Sequence, residues 1–195
     1  LGGVLVPEKG KDILKEISRY LSVSDSLLSE YKEDYKHSLL RGEIKLIDFY
    51  SIVINRIGNK TFSSEELLKK HLQIYKKNSL KLNRNILNLI IRLKSKYSVV
   101  CLTNTEIEIA ELNKKRGLFS YFDKQYLSTD LGLAKPDKET YEFVLKDLQN
   151  KSTEVVFIDD NKEYIASAKA LGIKSILFKN TSKLKKDLAN FQIIF

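Results

Sequence analysis

Apolar residues recur three and four positions apart along most of the first half of the chain, the spacing that gathers side chains on one face of an α-helix. Ile13, Leu14, Ile17, Tyr20 and Leu21 predict one helix, and Leu28, Tyr31, Tyr35 and Leu39 a second. Arg41-Gly42-Glu43 breaks the pattern before a third helix around Phe49, Ile52, Val53 and Ile57, which Gly58-Asn59 ends. Ser63 and Glu66 have capping-box spacing, in which hydroxyl and carboxylate satisfy each other's free backbone N–H groups, and so predict a fourth helix through Leu67, Leu68, Leu72 and Tyr75. Ile86, Leu87, Ile90, Ile91 and Leu93 mark a fifth, apolar enough to be expected in the interior.

From residue 98 the rhythm changes. Short apolar runs at 98–102, 125–127, 155–158 and 175–178 alternate with helical stretches around 107–112, 140–148 and 164–171, the last closed by Gly172. That alternation predicts an α/β fold whose parallel strands are joined by crossover helices. Ile193-Ile194-Phe195 is expected to add a strand or to pack on an edge.

With 195 residues the chain can bury one sizeable core, or a core carrying a smaller insert. Composition alters this little: 43% hydrophobic and 30% charged residues are ordinary for a globular protein, and no apolar run approaches the roughly 18 residues of a membrane span. No membrane partner is expected. The net charge of +9 comes from lysines spread over the predicted helices and interleaved with leucines, without a nucleic-acid-binding motif, so no nucleic-acid partner is expected either. Cys101, the one cysteine, lies in an apolar run and reads as a small buried hydrophobe, with a reducing, cytoplasmic setting as the default. His37 and His71 show no metal-ligand spacing and read as surface residues. The chain opens on Leu1 and contains no methionine, so its natural start is expected to lie elsewhere.

Ligands of open α/β sheets bind where strands end. Three polar clusters follow the apolar runs: Thr103-Asn104-Thr105, the loop holding Lys135-Pro136, and Asp159-Asp160-Asn161. Adjacent carboxylates repel unless a cation lies between them or one turns away. Mg²⁺, which takes oxygen ligands, suits them, and a lysine with a strand-end threonine can hold the remaining oxygens of a transferring phosphoryl group. Read singly, Asp159-Asp160 is also a helix N-cap pair, Lys135-Pro136 a helix start, and Thr103 says almost nothing.

The order of these motifs resembles motifs two, three and four of the haloacid dehalogenase superfamily, and Leu1-Gly2-Gly3-Val4-Leu5 resembles the remainder of its first motif. The resemblance spans the whole chain. It implies a Rossmann-like parallel-sheet core at 1–11 and 81–195 with an inserted all-helical cap at 12–80. It also implies a nucleophilic aspartate immediately before Leu1. On it Thr103 and Lys135 would be catalytic; Gly3, Thr103, Asn104 and Lys135 would bind substrate; and the Gly2 carbonyl, Asp159 and Asp160 would hold Mg²⁺. The implied activity is hydrolysis of a small phosphorylated metabolite, a sugar phosphate or similar monoester, through an aspartyl-phosphate, with the chain as written inactive.

Gly2 departs from the pattern, since many phosphatases of the family carry there the aspartate that protonates the leaving oxygen. Tyr164 departs too, standing where related sequences often have Asn or Asp. Receiver domains reverse the order of acids, threonine and lysine, and neither a P-loop nor a dinucleotide glycine pattern is present. The rival reading is a cap-bearing protein that has lost catalysis and serves as a binding or scaffold protein.

Overall fold

The computed structural model describes residues 1–6, 10–59 and 61–195. Five helices come first: α1 (Gly10–Leu21), α2 (Asp25–Asp34), α3 (Lys36–Leu40), α4 (Leu46–Arg56) and α5 (Ser64–Asn78). The single helix predicted from Leu28 to Leu39 is broken at Tyr35, whose φ of −104° and ψ of 5° interrupt it. The four-residue spacing of Tyr31, Tyr35 and Leu39 runs on across the break, so periodicity gives no sign of it. The Ser63–Glu66 capping box forms as expected: Ser63 Oγ accepts from the Glu66 N–H at 3.2 Å, and Glu66 Oε2 from the Ser63 N–H at 2.8 Å.

One cluster unites these helices, with Ile17, Leu28, Leu39, Leu46, Phe49, Tyr50, Val53 and Leu67 fully buried in it. His71 lies in the same interior, 5% exposed, with Nδ1 2.7 Å from the Tyr50 hydroxyl. The expectation of a surface histidine fails for it, because ring and phenol satisfy each other; His37 is exposed.

The second part comprises α6 (Arg84–Leu93), β1 (Val100–Thr103), α7 (Ile107–Lys115), β2 (Lys124–Leu127), α8 (Ser128–Leu131), α9 (Lys138–Asp147), β3 (Val156–Asp159), α10 (Lys162–Ala170), β4 (Lys174–Leu177) and α11 (Thr181–Asn190), with 3-10 turns at Leu118–Tyr121 and Ser152–Glu154. Neither α8 nor α11 was predicted. Asn180 caps α11 by accepting from the Lys183 N–H at 2.9 Å. α6 buries Ile86, Leu89, Ile90 and Leu93 but leaves Ile91 57% exposed, so its apolar character is one-sided. Ile193 and Phe195 pack against the cluster around α6 and α11 and form no strand.

The α/β reading holds, with parallel strands. β1 pairs with β2 from Val100↔Lys124 to Thr103↔Leu127, and β3 with β4 from Val156↔Lys174 to Asp159↔Leu177. No ladder among the described residues joins the two ribbons. Between them lies a mainly apolar cleft of about 760 Å³, lined by residues 98–102 and 155–158 together with Leu1, Val4 and Leu5. The helical part rests on the C-terminal side of β1: Lys32 meets Glu106 at 2.7 Å, Arg41 meets Asp137 at 2.7 Å, and Glu108 accepts from the Leu46 and Ile47 N–H groups at the start of α4. No helix among the described residues is long and apolar enough to cross a membrane.

Candidate functional site

Thr103 and Asp159 are the last residues of β1 and β3, the two strands that face each other across the cleft. Both are buried. Lys135, on the loop between α8 and α9, reaches between them: its Nζ donates to Asp159 Oδ2 at 2.6 Å and to the Leu102 carbonyl at 3.3 Å. A buried ion pair of this kind is costly unless each member is held on other sides as well. Asp159 meets that condition, since its other oxygen accepts from the Asn161 N–H at 2.9 Å.

Asn104 is committed to the scaffold. Its Oδ1 accepts from the Lys135 N–H at 3.0 Å and its Nδ2 donates to the Lys135 carbonyl at 2.8 Å, so one amide engages both backbone polar groups of the lysine. The Thr103 hydroxyl donates weakly to the Asn104 carbonyl at 3.3 Å.

Asp160 follows Asp159 directly and forms no ion pair with Lys135. It has no side-chain hydrogen bond or ion pair among the described residues. Its carboxylate lies flat against Gly3: a Cβ built there would sit 2.0 Å from Oδ2 and 2.5 Å from Oδ1. Gly3 also has a φ of +71°, which L side chains rarely adopt. At Gly2 an added Cβ would meet nothing within 4 Å, and no hydrogen bond among the described residues takes its carbonyl oxygen. The Asp160 carboxylate and the Gly2 carbonyl, neither hydrogen-bonded among the described residues, are oxygen donors of the kind a hard divalent cation takes. No group of three or more His, Cys, Asp or Glu side chains is gathered among the described residues, so a cation here would draw on backbone oxygen and water as well.

The Leu1 amino group lies at this same place. Burial lowers its pKa and Lys135 adds to the effect, against Cys101, Asp159 and Asp160, which raise it. Cys101 is buried as expected, and burial pushes its thiol up.

Three placements at the site escaped the sequence, although the sequence singles out Tyr164 itself. Phe157 and Tyr164 flank the Lys135 ammonium, their ring centroids 5.5 and 4.9 Å from Nζ. Phe157 was legible in principle, because residues two apart on a strand share a face and Asp159 is the next such residue. Glu106 is the third. Burial pushes its carboxyl up, but Lys32 and His71 outweigh that and bring its pKa down to about 2.

A parallel α/β fold with lysine, threonine and two separated carboxylates at its strand ends defines a hydrolase of the phosphate-handling type. Residues 1–172 match the haloacid dehalogenase-like hydrolase family, and the chain belongs to it. It is 26% identical to a D-ribitol-5-phosphate phosphatase of Bacteroides thetaiotaomicron over 96% of this chain and 93% of that protein. A drimenol cyclase of Aspergillus calidoustus is 29% identical over 67% of this chain, a match spanning 26% of the cyclase's length. Among solved structures, a HAD family enzyme of B. thetaiotaomicron in complex with magnesium and inorganic phosphate superposes with a TM-score of 0.69, covering 94% of this chain and 95% of that one at 23% identity. That likeness is one of fold.

Proposed function

We propose that the protein is a Mg²⁺-dependent phosphatase that hydrolyses a small phosphate monoester, a sugar phosphate or similar metabolite. The observation that carries the reading is the division of labour between neighbouring acids: Asp159 is bound to buried Lys135, while Asp160, without a partner among the described residues, lies against Gly3. On this reading Lys135 and the Thr103 hydroxyl hold phosphoryl oxygens, Gly3 lines the phosphate, and Asn104 fixes the loop that presents Lys135. The Gly2 carbonyl, Asp160 and Asp159 are the protein's share of the Mg²⁺ site. Bound there, Mg²⁺ would supply charge that lets nucleophile and phosphate approach. The relative acting on D-ribitol 5-phosphate and the relative holding magnesium with phosphate support the same chemistry.

The reading requires a nucleophilic carboxylate at this place, near Lys135, Asp159 and Asp160. That carboxylate attacks phosphorus as the ester oxygen leaves, and water then attacks phosphorus of the aspartyl-phosphate to release phosphate and restore the carboxylate. Helices α1–α5 act as a cap over the strand ends, excluding water and selecting the organic part. Gly2 offers no proton to the leaving oxygen, so turnover is slow or the leaving group is a good one. The same glycine favours the rival, a catalytically silent binding protein.

The experiment is Mg²⁺-dependent phosphate release by the natural protein from a panel of sugar and polyol phosphates. Turnover that Asp160→Ala abolishes, together with loss of Mg²⁺ binding by calorimetry, is the expected result. A wild-type protein that binds phosphate esters and releases none points to the rival.

A further inference from the structure

The Lys135 ammonium carries its charge where water does little for it, its side chain being 4% exposed. It has three N–H donors. One goes to Asp159 and one, at longer range, to the Leu102 carbonyl; no third acceptor stands among the described residues. Two aromatic faces are there instead: Tyr164 from α10 at 4.9 Å and Phe157 from β3 at 5.5 Å. An aromatic face attracts a cation through its quadrupole without consuming a hydrogen-bond donor. An oxygen ligand in the same place would stabilise the charge equally well but would occupy the donor.

The rings are themselves held. Tyr141 of α9 meets the Phe157 ring edge-on at 5.5 Å and 88°, and its hydroxyl donates to the Tyr164 carbonyl at 3.0 Å. The Tyr164 hydroxyl accepts from Asn104 Nδ2 at 3.3 Å, the amide that also engages the Lys135 backbone. Tyr164 therefore touches both ends of the lysine's support, the ammonium through its ring and the backbone clamp through its hydroxyl.

We propose that Tyr164 is a positioning residue: together with Phe157, its ring keeps the Lys135 ammonium aimed into the site while leaving one N–H free for a phosphoryl oxygen of the substrate. The inference rests on the phosphatase reading and gives a role to Tyr164 beyond packing.

The test uses the natural protein with ¹³C-labelled lysine and needs no substrate for its first arm. Lys135 ε-methylene protons near two ring faces are shifted upfield; Tyr164→Leu removes part of that shift, and Tyr164→Phe, which keeps the ring, retains it. Inorganic phosphate titrated in the presence of Mg²⁺ then binds roughly two- to thirtyfold more weakly to Tyr164→Leu, the range of one desolvated cation–aromatic contact. Tyr164→Phe recovers most of that affinity, and with a phosphate ester the loss falls on KM more than on kcat. Lys135 ε-protons at their solvent-exposed position in the wild type, or phosphate affinity unchanged in Tyr164→Leu, would overturn the inference alone. Absence of phosphate binding to the wild type would overturn the phosphatase reading and the inference with it.

Discussion

Gly2 and Gly3 are adjacent and chemically identical, yet the site treats them oppositely. Gly3 sits under the Asp160 carboxylate with a left-handed φ, so Gly3→Ala must push the acid aside and strain the backbone. It is expected to cost about 1–2 kcal/mol of stability and to weaken Mg²⁺ binding roughly ten- to a hundredfold, read by thermal melting and calorimetry. Gly2 has open space around it. Gly2→Asp is therefore expected to fold normally and to raise kcat on alkyl phosphates by roughly tenfold or more, as a proton donor to the leaving oxygen. Activity on an aryl phosphate, which leaves without help, should change little, so a rise equal on both substrates would argue against that role. Thr103, Asn104, Asp159 and Asp160 could be singled out because each lies at or just beyond an apolar run, and Lys135 because it precedes a proline on a loop. Their partners could not: nothing in the order of residues says that the Asn104 amide closes on the Lys135 backbone, or that Gly3 bears on Asp160.

At the level of elements, the helices were read by period and the errors fall where period is silent. The break between α2 and α3 leaves the spacing intact, and in the terminal triplet, expected either to add a strand or to pack, Ile193 and Phe195 pack on the α6 and α11 cluster while Ile194 stays 64% exposed. His71 was misjudged because burial of a polar ring depends on a partner 21 residues away, Tyr50. Its burial has a signed consequence. Burial lowers the His71 pKa from an ordinary 6.5 to about 4, with Glu106 opposing and Lys32 assisting. Between those values the unfolded chain takes up a proton that the folded one refuses, so stability declines as pH falls from about 6.5 to about 4. Glu106, lowered from 4.5 to about 2, adds a second decline below that window. His71→Gln should remove on the order of 2 kcal/mol from the stability difference between neutral and mildly acidic pH. Urea unfolding at the two pH values measures it, and an unchanged difference would show that the ring titrates freely in the fold.

The molecule as a whole consists of a helical cluster and two parallel ribbons joined by the site rather than by a ladder. The sequence foretold the parallel α/β plan and the separate helical half, because both leave a periodic trace. The gap between β1 and β3 leaves none, since an unpaired edge reads like a paired one. The cleft of about 760 Å³ has mainly apolar walls, and among the described residues no ladder crosses it between β1 and β3. A synthetic apolar peptide of about six residues, one ordinary strand length, ending in aspartate, is expected to raise the melting temperature of the 195-residue chain when mixed with it. A scrambled polar peptide should not. In such a mixture, occupancy and chemistry become one titration. On the phosphatase reading proposed above, the peptide's aspartate would supply the attacking carboxylate, so the dose that half-saturates the thermal shift should half-saturate turnover. Changes that loosen pairing along β1 or β3, far from any phosphate, would then register as weaker peptide binding with kcat at saturation preserved.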